Sequence, residues 1–185
     1  LHQGQIQGFF DIPVNHLSAL PLFADYYDAM GFDTDNLVVV SPDVGSVARA
    51  RAFAQKLHMN LAIVDKRRDK PNQAQAMHVI GDVEGKTAII VDDIIDTAGT
   101  LCAGADVLLK YGAKKIIACA SHGVLSGPAL ERLEASNIEE LALLNTIPES
   151  MGEGCSKIKY LSVAPMFAEA IERIYQEISI SKLFR

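Results

Sequence analysis

The segment Ala88–Thr100 (AIIVDDIIDTAGT) gathers three carboxylates, two threonine hydroxyls and a glycine into its last nine residues. Asp92 and Asp93, at the end of a run of β-branched residues, suit two tasks. They can accept hydrogen bonds from vicinal sugar hydroxyls, or hold a divalent metal. Asp96, Thr97, Ala98, Gly99 and Thr100 are small, acidic or hydroxylated. At the start of a helix their backbone N–H groups and two hydroxyls could wrap a phosphate, one sugar's width from the acid pair. Ordinary helix capping accounts for one Asp or Thr at such a place, but not for the whole set.

Other candidates are weaker one by one. Asp43 closes a run of valines in VSPDVGSVARAR, where it reads as a ligand-facing carboxylate or as a helix cap. The basic run at Lys66–Arg68 opens the polar stretch Lys66–Gln75, read as a loop; such runs are commonly plain solvated surface. His2 and Asp11 lie near the first residue, where a lone His is ordinarily a surface group. Cys102, Cys119 and Cys155 are scattered in no metal-ligand spacing and read as small buried hydrophobes, reduced in a cytoplasm.

The elements that must position these groups alternate along the chain. Leu37–Ser41, Leu61–Val64, Thr87–Val91, Lys115–Cys119, Leu141–Leu144 and Ile158–Leu161 read as strands. Helical spacing appears over Val44–His58, Ala98–Tyr111 and Pro165–Ile178, with Gly112 stopping the second. Near-continuous apolar strands separated by helices predict an α/β fold with a Rossmann-like parallel sheet flanked by helices on both faces. Ligands then bind beyond the carboxyl ends of the strands, where Asp43 and Asp92 fall.

The 185 residues are 49% hydrophobic and 22% charged, an ordinary globular composition. A net charge of −6, with no Trp, argues against a nucleic-acid or anionic-membrane binder. No apolar run is long enough to suggest a membrane span.

VDDIIDTAGT resembles the phosphoribosyl-binding signature shared by type I phosphoribosyltransferases and ribose-phosphate diphosphokinases (PRPP synthetases). Three further segments resemble the diphosphokinases. Leu1–Asn15 (LHQGQIQGFFDIPVN) is similar to their signature, with Asn15 where they usually carry Asp. VSPDVGSVARAR is similar to their strand end and helix start, with Ser46 replacing a usual Gly. IVDKRRDKPN resembles their catalytic loop. Ser121–Gly127 and the tail Ser179–Phe184 complete the likeness.

The resemblance implies a type I phosphoribosyltransferase fold and transfer of diphosphate from Mg2+-bound ATP to ribose 5-phosphate. It assigns Lys66 and Arg68 to the transferring diphosphate. Asp43, Asp92, Asp93 and the loop Asp96–Thr100 fall to ribose 5-phosphate, and His2, Asp11 and Asp43 to ATP and metal. It also implies a cytoplasmic homo-oligomer, a hexamer in the family, with a phosphate or ADP regulatory site near Ser179, Ser181 and Phe184. Residues 1–16 then read as a remnant of an ATP-side domain and 17–185 as the phosphoribosyl-binding domain, the last helix and tail packing back on the first. A start inside the signature leads to the expectation of a truncated chain that keeps the sugar-phosphate site but binds ATP poorly. The alternatives are a phosphoribosyltransferase and a non-catalytic regulatory subunit.

Overall fold

Burial on both faces decides how the strands associate. Every residue of β1 (Leu37–Ser41) is buried, as is most of β4 (Thr87–Ile95) and β5 (Lys115–Gly123). Such strands need cover on both sides, the condition met by parallel pairing with crossover helices. The remaining strands are β2 (Asn60–Arg67), β3 (Ala76–Ile80), β6 (Ile138–Leu144) and β7 (Ile158–Leu161). The computed structural model describes residues 2, 4–31, 34–67 and 76–184, and assembles these strands into one sheet in the order β3-β2-β1-β4-β5-β6-β7. All neighbours pair in parallel except β2 and β3, which are antiparallel in the register Ile63↔Ile80 to Arg67↔Ala76.

Helices α1 (Leu20–Ala29) and α2 (Val47–Lys56) cover one face, setting Phe23, Tyr27 and Phe53 against Val39, Ile89 and Ile117. Helices α3 (Gly99–Lys110) and α4 (Ala129–Ala135) cover the other, setting Leu101, Leu108 and Leu133 against Val40, Ile90 and Leu141. The buried Tyr27 hydroxyl donates to the Ala118 carbonyl at 3.0 Å, which ties α1 to the sheet centre. A last helix, α5 (Ala164–Tyr175), buries Ala170 but leaves Phe167, Ile171, Ile174 and Tyr175 exposed.

The α/β reading of the sequence stands, with four corrections. The sheet is not wholly parallel, because β3 returns along the edge. Lys66 and Arg67 belong to β2 rather than to a loop. Strand β4 runs four residues past Val91, to Ile95, so the acid pair lies inside it. Helix α3 starts at Gly99 and not at Ala98, because Ala98 has a left-handed φ of 58°. Chain order reverses between β1 and β4, and the crevice beyond their carboxyl ends is where open α/β sheets bind ligands.

Helix α4 is short, and its terminal carbonyls have no helical partners of their own. Lys157 supplies them. Its Nζ donates to the carbonyls of Leu133 at 2.9 Å, Glu134 at 2.9 Å and Ser136 at 2.7 Å. Lys157→Met keeps the aliphatic stem and removes all three bonds, so it should lower unfolding stability by about 2 kcal/mol in urea titrations. An unchanged midpoint would mean that water serves these carbonyls equally well.

Candidate functional site

The acid pair is the most constrained part of the site. Asp93 is 7% exposed, and a carboxylate so placed needs partners. Arg49, from the face of α2 that reaches the strand ends, forks between the two acids: Nη2 lies 2.8 Å from Asp93 Oδ2 and Nη1 3.3 Å from Asp92 Oδ1. His2 Nδ1 meets the same Asp93 oxygen at 2.5 Å. The Asp93 N–H donates to Asp92 Oδ1 at 2.8 Å, locking the neighbours together.

These contacts split the pair electrically. Burial pushes the Asp92 carboxyl up to about 6, and the charge of Asp93 beside it acts in the same direction. Burial opposes ionisation of Asp93 too, but the bond to His2 and the Arg49 guanidinium outweigh it and hold that carboxyl below its usual range.

Beyond Ile95 the chain turns into α3. Ala98 is buried in the left-handed region, at a typical cost of about 1–2 kcal/mol for a residue with a Cβ. No side chain caps α3, so the capping alternative for this loop does not hold, and its first-turn N–H groups are available to an anion. The loop is braced from the turn before α4 and from α4 itself. Ser126 donates its N–H to the Asp96 carbonyl at 3.1 Å and its hydroxyl to Asp96 Oδ1. Arg132 Nη1 donates to the Thr97 carbonyl at 2.9 Å. Gly99 sits close beneath this guanidinium: a Cβ there would come within 3.3 Å of Arg132 Nη1.

A cavity of about 590 Å³ opens beside the acid pair, lined also by His2, Asn15, His122, Thr146 and Phe167. The Thr146 hydroxyl gives its proton to the Ser121 carbonyl at 2.7 Å. His122 Nδ1, 2.8 Å from that hydroxyl, must therefore be the donor, leaving Nε2 as the acceptor of the neutral ring. Burial lowers the His122 pKa, which favours that neutral form.

The structure thus brings together His2, Asp92 and Asp93, and carries the 96–100 loop on from the same strand. Asp43 lies just beyond β1, where its Oδ1 accepts the Ser46 N–H at 2.8 Å, a turn-capping role. Asp11 is exposed in the bend after a 3-10 turn (Gly4–Phe9) and is not among the cavity-lining residues. Lys66 pairs through its backbone with Met77 in the β2–β3 hairpin, while Arg68 lies outside the described residues. In the tail, Ser179 Oγ bonds Ser181 Oγ at 3.0 Å, Arg173 donates to the Ser179 carbonyl at 3.1 Å, and Phe184 is exposed.

Arg49, Arg132 and His122 were not singled out in the sequence. The first two are cations on helices, and only tertiary packing aims them. His122 was visible as part of a polar triplet ending a strand. For a metal, no group of three His, Cys, Asp or Glu forms among the described residues. The hard carboxylate oxygens fit a cation that fills the rest of its shell from phosphates and water, the habit of magnesium.

A sequence model of the phosphoribosyl synthetase-associated domain matches residues 67–185. The chain is 57% identical to ribose-phosphate pyrophosphokinase of Clostridium acetobutylicum over 185 residues, covering all of this chain and 58% of that protein. It is 58% identical to the protein of the same name from Caldanaerobacter subterraneus, again covering 58% of it. The chain therefore spans somewhat over half the length of the curated relatives it matches. The crystal structure of phosphoribosylpyrophosphate synthetase from Mycobacterium smegmatis superposes with a TM-score of 0.85 at 40% identity, covering 96% of this chain and 57% of that one. An adenine phosphoribosyl transferase from Trypanosoma brucei, with a TM-score of 0.52 and 14% identity over 78% of this chain and 63% of that one, shares the fold alone.

The raised Asp92 pKa has a checkable sign. The folded state binds this proton more tightly than the unfolded chain, so the stabilisation is complete below about pH 4 and is lost as pH rises towards 6. Asp92→Asn removes that slope. Its unfolding free energy relative to the unsubstituted protein should rise by about 2 kcal/mol between pH 4.5 and 7.5 in urea titrations. A pH-independent difference would mean that Asp92 ionises normally.

Proposed function

The chain belongs to the phosphoribosyl pyrophosphate synthetase family, and from that premise we propose that it serves transfer of diphosphate from magnesium-bound ATP to ribose 5-phosphate. The observation that carries the reading is the continuity of Asp92, Asp93 and the 96–100 loop on one strand–turn–helix at the reversal point of the sheet. A sugar phosphate has two ends of different chemistry, and this segment offers a partner for each. Hydroxyls face the carboxylates, and the phosphate faces the N–H groups at the start of α3 with the Thr97 and Thr100 hydroxyls.

In this reading the anomeric oxygen of ribose 5-phosphate bonds to the β-phosphorus of ATP. The bond from that phosphorus to the α–β bridging oxygen breaks, AMP departs, and the hydroxyl proton is released. No covalent enzyme intermediate forms. Lys66 and Arg68 neutralise charge on the diphosphate in flight, since phosphoryl transfer depends on positioning and charge compensation. Asp43 and the acid pair are the carboxylates that would hold magnesium and the ribose, and the cation would supply neutralisation of charge on the transferring diphosphate. His2 and Asp11 lie on the ATP side with residues 1–16. The protein works as a cytoplasmic homo-oligomer, with Ser179, Ser181 and Phe184 contributing to a phosphate or ADP site.

Phosphorus NMR of the protein with Mg2+, ATP and ribose 5-phosphate tests this directly. AMP and a new 1-diphosphate signal growing in together would carry the transfer, and Asp93→Asn should then slow them by about a hundred-fold. Broadening of ribose 5-phosphate without new signals would leave the sugar-phosphate site standing and remove the transfer from this chain. Nucleotide formed instead from 5-phosphoribosyl 1-diphosphate and a free base would identify a phosphoribosyltransferase.

A further inference from the structure

We propose that Arg132, on α4, is a positioning residue of the phosphate loop, an inference that rests on the sugar-phosphate reading of residues 96–100. Arg132 Nη1 holds the Thr97 carbonyl at 2.9 Å. The described residues contain no cis peptide, and a trans peptide points its C=O and N–H in opposite directions. Tethering Thr97 O towards α4 therefore aims the Ala98 N–H away from α4. This same peptide leads into the left-handed turn at Ala98, a conformation that persists only where its surroundings enforce it.

Two further observations give the guanidinium this task. A Cβ at Gly99 would come within 3.3 Å of Arg132 Nη1, so the cation stands close beside the first residue of α3. Helix α4 is also anchored for the purpose. Its C-terminal carbonyls are tied by Lys157, Glu134 accepts the Ser156 N–H, and Ser126 before it grips Asp96. Arg132 thus supplies both the orientation of a donor and a positive charge behind it, without touching the ligand.

The test uses inorganic phosphate and ribose 5-phosphate as separate probes, with affinity read from the amide resonances of Gly99 and Thr100. Arg132→Met should weaken both probes by about ten-fold, the worth of one charge-assisted hydrogen bond. Arg132→Lys, which restores the charge but not the planar fork, should recover part of the loss. A role confined to stability would shift the urea midpoint and leave both affinities alone. Affinities of Arg132→Met within two-fold of the unsubstituted protein would overturn the inference. If Gly99 and Thr100 respond to neither probe in the unsubstituted protein, the phosphate reading of the loop fails, and this inference with it.

Discussion

An ionised carboxylate removed from water must be neutralised where it stands, or it takes up a proton. Asp93 faces that condition near the carboxyl end of the central strand. Its solution is two cationic or hydrogen-bonding partners from opposite parts of the chain, Arg49 of α2 and His2 of the N-terminal segment. Much else follows. Helix α2 must begin so that Arg49, in its first turn, overhangs the strand ends. The N-terminal segment must lie across the same opening. Asp92 meets the constraint the other way, keeping a proton to about pH 6. Between about pH 4 and 6, therefore, Asp93 is charged while its neighbour Asp92 still carries a proton.

The loop after β4 depends on its neighbours in the same manner. A buried alanine with left-handed φ is unfavourable by itself, and its cost is offset by contacts made elsewhere. Those contacts come from Ser126 and α4, and α4 in turn owes its end to Lys157, which sits next to β7. Support thus passes from the far side of the sheet to five residues at its ligand-facing end.

The sequence was informative where physics is local. β1 and β7 begin and end at Leu37–Ser41 and Ile158–Leu161, as apolar runs bounded by polar residues predict. The acid pair and the small-residue loop were legible from composition alone. The reach of β4 to Ile95 was not, because Asp disfavours strands. It is imposed by long-range pairing of Asp92 with Ala120, Ile94 with His122 and Ile95 with Gly123. Strand β3 has the same cause, an antiparallel return on an edge with little periodicity to betray it. Helix α1 was missed as well, although the Pro in its first turn, Pro21, was a usable sign. Arg49 sits in a stretch of helical spacing and Arg132 in a segment where no helix was read, and nothing local says that either arginine reaches the site.

Strand β4, unbroken through the acid pair to the turn, acts as a measuring rod. At about 3.3 Å of rise per residue, the backbone from Asp93 to Asp96 spans roughly 10 Å. Both ends are pinned, one by ion pairs and the other by Ser126 in the turn before α4, and the strand between is held by ladder hydrogen bonds to β5. Such a rod cannot stretch to suit its cargo. A ligand that engages both ends must arrive at the right length, so selection by size is built into the backbone before any side chain makes contact.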